Sequence, residues 1–475
     1  MWLEGAGLSA AESSSRLISR IIEPRQQLPQ ERKRFSNGDL MRLVLPIVAE
    51  QFLALLVGIA DTLMVSYAGE AAVSGVSLVN QLNNVFILVF TALASGGAVI
   101  ASQYVGSRDR ENGTLAASQL LMVTTIISVA LTAVTLVFGH DIFTALFGSV
   151  EQAVYDEGMD YLRISAYSFV ALAIYNACAG LYRSMGKTKE LMYVSFAMNG
   201  INVAGNAIGI FVLHAGVAGV AYPSLISRVF AAVVMLILSA NQKLPICLVL
   251  KKVLTWNWSM IRRIFHVAIP NSIENGLFQF AKVALSSIVA QFGTVQIAAN
   301  GVAQSFWSMA ALFCLAMGPA FITVTGQYMG AQDTDGAEYY MKKMLRLTYL
   351  GGALWNVIFL AITPLLLKLY SLSSEAVRLT IILVILHNLF NALFCPLSYS
   401  LSSGLRAAGD IKFNLYSSIF SSVICRVALS FLFGLIFNMG VIGITIAMAC
   451  DWGIKAALVV WRWKSGKWKQ FRMID

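Results

Sequence analysis

The chain has 475 residues, 58% of them hydrophobic and 12% charged, with a mean hydropathy of +0.72. Soluble domains carry about 25% charged residues, so a soluble fold is excluded and an all-α polytopic membrane protein is indicated. The formal net charge of +10 would suit a nucleic-acid partner, but its placement in short loops between apolar stretches assigns it to membrane topology instead.

Residues 1–39 are polar, contain Glu4, Glu12, Glu23 and Glu31, and lack the apolar core of a signal peptide. Arg16, Leu17, Ile18, Arg20, Ile21 and Ile22 fit either a short helix on the membrane surface or a disordered tail. The apolar runs are long and continuous, which is the helical pattern rather than the barrel pattern. Twelve spans are predicted, near 40–67, 73–105, 113–139, 152–181, 188–213, 217–240, 261–290, 297–329, 336–366, 374–405, 412–437 and 440–463. The expected organisation is a cytoplasmic tail (1–39), a six-helix bundle (40–240), a cytoplasmic linker (241–260), a second six-helix bundle (261–463) and a cytoplasmic tail (464–475).

The first span carries Pro46, Glu50 and Asp61. An ionisable group in hydrocarbon is costly and marks a functional candidate. The two acids are three helical turns apart, so on a helix they share a face about 16 Å apart. Basic residues follow the even-numbered spans, as in Arg108 and Arg110, Arg183, Lys187 and Lys189, and Lys251, Lys252, Arg262 and Arg263. The second half repeats this with Lys342, Lys343 and Arg346, then Arg406 and Lys412, then Arg462, Lys464 and Lys467. The opposite loops (68–69, 214–216, 292–293 and 438–440) hold no lysine or arginine, so both termini are expected to be cytoplasmic. Trp256, Trp258, Trp461, Trp463 and Trp468 sit beside basic residues, as interfacial anchors would. The six cysteines lie mostly in apolar runs without metal-ligand spacing and read as buried free thiols.

An internal repeat links the halves. Gln103-Tyr104-Val105-Gly106 recurs as Gln327-Tyr328-Met329-Gly330, which fixes the offset between them. At that same offset Pro46 falls on Pro270, Glu50 on Glu274, Gly69 on Gly293, and Gly216-Val217-Ala218-Gly219 on Gly440-Val441-Ile442-Gly443. The segment from Leu181 to Lys189 matches Gly404 to Lys412 at an offset shorter by a single position. Matches in register imply two parallel six-helix repeats, an arrangement that secondary transporters use with the substrate site where the repeats meet.

The repeat separates the acids. Glu50 belongs to a Pro-x-x-x-Glu element shared with Glu274, whereas Asp61 corresponds to Leu285 in the second half. Lys282, two turns beyond Glu274, either pairs with an acid or extends to the interface. Polar candidates in the first half include Tyr175, Asn176, Asn202 and Asn206, the last two on one helix face. The second half offers His387 and Asn391, although asparagine in a membrane helix often serves only to join helices. Asp451 and Lys455, at i,i+4 spacing, are expected to pair. No phosphate-binding Walker loop, HExxH or GxSxG occurs, so neither an ATP motor nor a recognisable enzyme centre is expected.

Several segments in order resemble the multidrug and toxic compound extrusion (MATE) family over residues 40 to 463. They are Ala60-Asp61-Thr62-Leu63-Met64 followed by Gly69, the Gln-Tyr-x-Gly ends of spans 2 and 8, Leu181 to Lys189 with its partner near Arg406, and Pro270-Asn271-Ser272-Ile273-Glu274. The resemblance implies twelve helices in two bundles, export of small organic cations or amphipathic compounds by alternating access, and antiport with Na+ or H+ instead of any bound cofactor. It places the ion switch at Asp61 and Glu274, both possible Na+ ligands, with Glu50, Asn202, Asn206, Tyr175 and Asn176 around the cavity. The sequence departs from the family's acidic residues in spans 5 and 10, where it has Asn206 and the stretch His387 to Cys395. His387 would then be the titrating group, which favours protons. The expected partners are small organic cations and the lipid bilayer, with no nucleic acid. The expected setting is a plasma or bacterial inner membrane, with the protein a monomer. A lipid-linked sugar flippase of the wider superfamily is the alternative, supported by the intramembrane cations Lys282, Arg228, Arg426 and Lys455. A receptor or a lipid-modifying enzyme fits the duplicated intramembrane acids less well.

Overall fold

The computed structural model describes residues 22–25, 28–148, 150–368, 370 and 372–474, and no strand occurs among them. The surface helix considered for Arg16 to Ile22 lies outside the described residues except at Ile22, which is buried.

The principal helices in chain order are α1 (Asn37–Ser66), α2 (Glu70–Ser107), α3 (Arg110–Phe147), α4 (Gln152–Ser184), α5 (Thr188–Val212), α6 (Ala218–Ser239) and α7 (Trp258–Val289). They continue with α8 (Thr294–Ala310), α9 (Leu312–Gly330), α10 (Thr334–Leu367), α11 (Ser374–Ala407), α12 (Ile411–Ile436) and α13 (Gly440–Lys464). Among the described residues, eleven helices are long and apolar enough to cross a membrane. The eighth span, expected as one helix, is broken at Ala311 into α8 and α9. The remaining column, α7, carries Arg262, Arg263, Glu274 and Lys282 and is correspondingly more polar. Pro46 and Pro270 are both accommodated inside continuous helices.

The repeat is written into the backbone as well as the sequence. Positive φ angles occur at Gly69 and Gly293, at Arg108 and Gln332, at His214 and Asn438, and at Gly216 and Gly440, each pair related by the repeat offset. Asp109 caps α3 by accepting from Asn112 N, and its repeat mate Asp333 caps α10 by accepting from Gly336 N. Column five ends in a π-helical turn at Ile208–Val212, and its counterpart ends in one at Leu432–Ile436. The second glycine of each Gly-Val-x-Gly motif is explained by close approach. A Cβ on Gly219 would lie 2.8 Å from the Gly209 backbone, and one on Gly443 would lie 2.6 Å from the Phe433 carbonyl carbon. Only a residue without a Cβ lets the backbones of consecutive columns touch there.

The contacts divide the chain into two compact units, one of residues 45–276 and one of 277–472 joined by the described residues up to Val44. In the first, apolar side chains of α1, α2, α3, α4, α5 and α6 pack around Val65, Val76, Val79, Phe143, Leu162, Ile210 and Val220. The linker after α6 docks on α3. Gln119 Nε2 donates to the carbonyls of Lys252 (2.8 Å) and Thr255 (2.6 Å), and Gln119 Oε1 accepts from Asn257 N (2.9 Å).

In the second unit the core gathers Leu285, Val289, Ala303, Phe306, Phe359, Leu383, Val384 and Ile444. The segment before α1 is bound here as a strap. Tyr328 Oη donates to Arg32 O (3.0 Å) and accepts from Arg34 N (2.7 Å), and Tyr340 Oη donates to Phe35 O. Lys343 Nζ meets Glu23 Oε1 at 2.6 Å, and Arg32 Nε donates to Asp333 Oδ2 at 3.2 Å. Trp468, expected as an interfacial anchor, is instead fully buried, its Nε1 donating to Trp463 O. Trp256 and Trp258 are exposed and stacked.

Candidate functional site

A polar cluster in the first unit is built by α1, α5 and α6. Spacing of four places Asn202 and Asn206 on one face of α5, and both are buried. Asn206 Nδ2 donates to Asp61 Oδ1 at 2.7 Å and lies 3.4 Å from Asn202 Oδ1. Asn202 Nδ2 donates to Ser224 Oγ of α6 at 2.9 Å. Arg228, one turn further along α6, is close enough to interact with the Asp61 charge and donates to Ser168 Oγ at 2.6 Å. Asp61 is therefore a half-buried carboxylate at the end of an amide ladder. Asn206 Oδ1 is buried beside it with no hydrogen-bond partner, a second oxygen facing the same cluster from the same side chain that binds Asp61.

Glu50 is placed elsewhere. It is 6% exposed and accepts from Arg183 Nη2 at 2.7 Å and from Tyr175 Oη at 3.5 Å. Its charge is thus neutralised across α1 and α4. Tyr175 belongs to this pair rather than to Asp61, and Asn176 Nδ2 donates to Leu172 O within its own helix. Glu274 is half-buried on α7. Among the described residues, no three His, Cys, Asp or Glu side chains gather as a metal-binding group.

In the second unit His387 is 1% exposed, with both ring nitrogens lacking a hydrogen-bond partner and its ring tilted against Trp452. Asn391 Nδ2 donates to Asn356 Oδ1 and to Ala310 O, which joins α11 to α10 and α8. Asp451, expected to pair with Lys455, has a partner on another helix. Arg426 Nε donates to Asp451 Oδ2 at 2.9 Å, Arg426 Nη2 adds a second bond, and Ser422 Oγ donates to Oδ1 at 3.2 Å. Both charged side chains are fully buried. A single-helix reading offers the i,i+4 lysine; the arginine comes to Asp451 only through the packing of α12 on α13. The one sequence signal was the repeat, which sets Arg426 opposite Asn202. Lys282 holds its ammonium over the rings of Phe278 (5.1 Å) and Trp307 (5.6 Å), and no carboxylate among the described residues pairs with it.

A helical membrane protein of two parallel repeats, each enclosing buried polar and charged side chains, has the architecture of a secondary transporter. The MatE family model matches residues 46–208 and 270–432, and the second match is displaced from the first by the repeat offset at both ends. The chain belongs to this family. It is 28% identical over 441 residues to the uncharacterized transporter YisQ of Bacillus subtilis, covering 91% of this chain and 95% of the relative. It is 23% identical over 452 residues to the probable multidrug resistance protein NorM of Thermotoga maritima, covering 94% and 95%. Its fold is similar to that of a multidrug resistance MATE family transporter in an outward-facing conformation, with a TM-score of 0.85 at 20% identity over 92% of this chain and 100% of the other. A MOP superfamily transporter from Pyrococcus furiosus, described as having a binding pocket of reverse polarity that suggests a different function, has a TM-score of 0.83 at 20% identity with the same coverage.

Proposed function

We propose that this protein exports cationic or amphipathic organic compounds by alternating access in antiport with Na+ or H+. The observation that carries the reading is the Asp61 carboxylate bound to Asn206 at the head of the Asn206–Asn202–Ser224 ladder. An ionised Asp61, with the spare Asn206 Oδ1 beside it, offers anionic and neutral oxygens to a cation. Protonation, or a bound Na+, satisfies the same oxygens and displaces an organic cation. Because the two occupants exclude each other, an ion gradient drives release, provided occupancy also biases the conformational equilibrium. The names of relatives such as the Thermotoga maritima NorM support the substrate class. In this reading Glu50, committed to Arg183, fixes α1 against α4 and does not exchange cations, while Glu274 supplies the coupling acid of α7. The protein works as a monomer with both termini in the cytoplasm and uses no bound cofactor.

The test is Asp61→Asn in proteoliposomes loaded with a cationic dye, under imposed sodium and proton gradients in turn. Gradient-driven efflux falls to the background of empty liposomes while passive dye retention is unchanged. Coupled efflux at the wild-type rate sinks the assignment. A flippase for lipid-linked sugars is the second reading, and Lys282 is the observation that favours it; Arg426 does not, because Asp451 already neutralises it.

A further inference from the structure

The second unit contains a cavity of about 320 Å³ lined by Lys282, Leu285, Asn300, Gln304, Arg426 and Met448, among others. The internal repeat relates it to the Asp61 cluster. Leu285 stands where the first half has Asp61, Arg426 where it has Asn202, and Met448 where it has Ser224. The equivalent location in the two halves therefore differs in charge, with Asp61 beside Arg228 in the first and Lys282 beside the Arg426–Asp451 pair in the second. One half presents a carboxylate on an amide ladder. The other removes the carboxylate and the ladder and introduces two cations, Arg426 and Lys282, the latter in place of Gly58.

We propose that this cavity binds an amphipathic monoanion, a carboxylate or phosphate carried on an apolar body. Charge accounting comes first. Asp451 balances Arg426, and no described carboxylate balances Lys282, so one positive charge is left over in the cavity wall. An unpaired charge in a membrane-embedded protein calls for a counterion or water. Arg426 Nη1 is buried without an acceptor, although Nε and Nη2 are committed to Asp451. Gln304, Ser305 and Ser308 add hydrogen-bonding groups on the wall. The second argument is shape and surface. Phe278 and Trp307 hold the ammonium in place, and Leu285, Val289, Ile444 and Met448 give the cavity wall an apolar surface next to the charge, against which an apolar body packs. The Asn300 Oδ1 atom is buried with no donor, and it suits a hydroxyl on the far edge of such a ligand. The volume lies at the lower end of the range for small-molecule sites.

The probe is 6-hydroxy-2-naphthoate, titrated calorimetrically into the full-length protein in nanodiscs of neutral lipid, with the trimethylammonium analogue of the same ring as the opposite charge. Saturable naphthoate binding is expected. It weakens by about 10–100-fold in Lys282→Gln, the loss of one charge-assisted contact, and survives in Lys282→Arg. Asn300→Asp keeps the size of the side chain and adds a negative charge to the wall. It should weaken the naphthoate and strengthen the trimethylammonium analogue, an inversion that misfolding does not produce. Absence of saturable naphthoate binding to wild type, or an unchanged affinity in both Lys282→Gln and Asn300→Asp, overturns the proposal. Repeating the titration with phosphatidylglycerol discs identifies the source of the anion. Competition assigns the site to a lipid phosphate, and unchanged binding assigns it to a soluble acid. Naphthoate binding persists in Asp61→Asn, so this site and the cation coupling at Asp61 fail or stand separately.

Discussion

Removing the charge of Asp451 tests how the second half is held together. The Asp451 carboxylate takes two bonds from Arg426 and one from Ser422 Oγ, with both ionic side chains at 0% exposure. Asp451→Asn preserves shape and removes only the charge, which strands a guanidinium whose Nη1 already lacks a partner. Leaving one member of a buried pair uncompensated costs about 3–5 kcal/mol. The Phe278 ring, 4.8 Å from the Arg426 guanidinium, faces it in both proteins and so does not offset the loss. For a unit of this size each kcal/mol lowers the melting temperature by about 2–4 °C, so a fall on the order of 10 °C is expected. The assay is thermal unfolding of the detergent-solubilised protein followed by intrinsic fluorescence. The double variant Arg426→Gln/Asp451→Asn replaces the ion pair by neutral amides and should recover most of the loss. A single variant as stable as wild type, or a double variant as unstable as the single, refutes the reasoning.

Other consequences are as direct. Glu50→Gln removes the carboxylate charge that Arg183 Nη2 meets at 2.7 Å and should lower thermal stability by about 1–3 kcal/mol, with partial recovery in Glu50→Gln/Arg183→Gln; an unshifted melting curve for the single variant argues against the pair. Gly219→Val drives a Cβ to 2.8 Å from the Gly209 backbone and should destabilise by about 1–3 kcal/mol, read in the same melting assay against Gly200→Ala, where a Cβ meets nothing within 4 Å. The strap over α9 and α10 should depend on pH. Burial opposes ionisation of Glu23, but hydrogen bonds from Lys343 and Tyr339 outweigh it and hold its pKa below the usual glutamate value; Asp333 is likewise opposed by burial and held low by Arg32. Groups with lowered folded-state pKa contribute fully above their unfolded values and lose that contribution as pH falls through the folded ones. Backbone amides of residues 28–36 should therefore keep constant hydrogen-exchange protection from pH 7 to about 5 and lose it below about 4. Protection that is flat to pH 3 counts against the ion pairs.

Sequence alone determined the membrane class, the helical columns, the two parallel repeats and their register, because lipid permits few backbone solutions. Apolar run length and the placement of lysine and arginine are also one-dimensional signals. It brought Asp61, Asn202 and Asn206 forward as candidates, because i,i+4 spacing on one helix is local geometry. Only the tertiary structure decided partners between helices. Glu50 is bound to Arg183, Asp451 to Arg426, and Trp468 turns inward. Each outcome depends on which helix packs beside which, a property the chain order does not contain. The strap formed by residues 22–25 and 28–36 has no sequence signature for a related reason. Its hold on Tyr328 and Tyr340 runs through main-chain atoms of Arg32, Arg34 and Phe35, and backbone hydrogen bonds leave no signature in side-chain composition. The difference in charge at the repeat-related cavity lies between the two cases. The substitutions were legible, but that Lys282 and Arg426 line one cavity follows from the convergence of α7, α8, α12 and α13 in space.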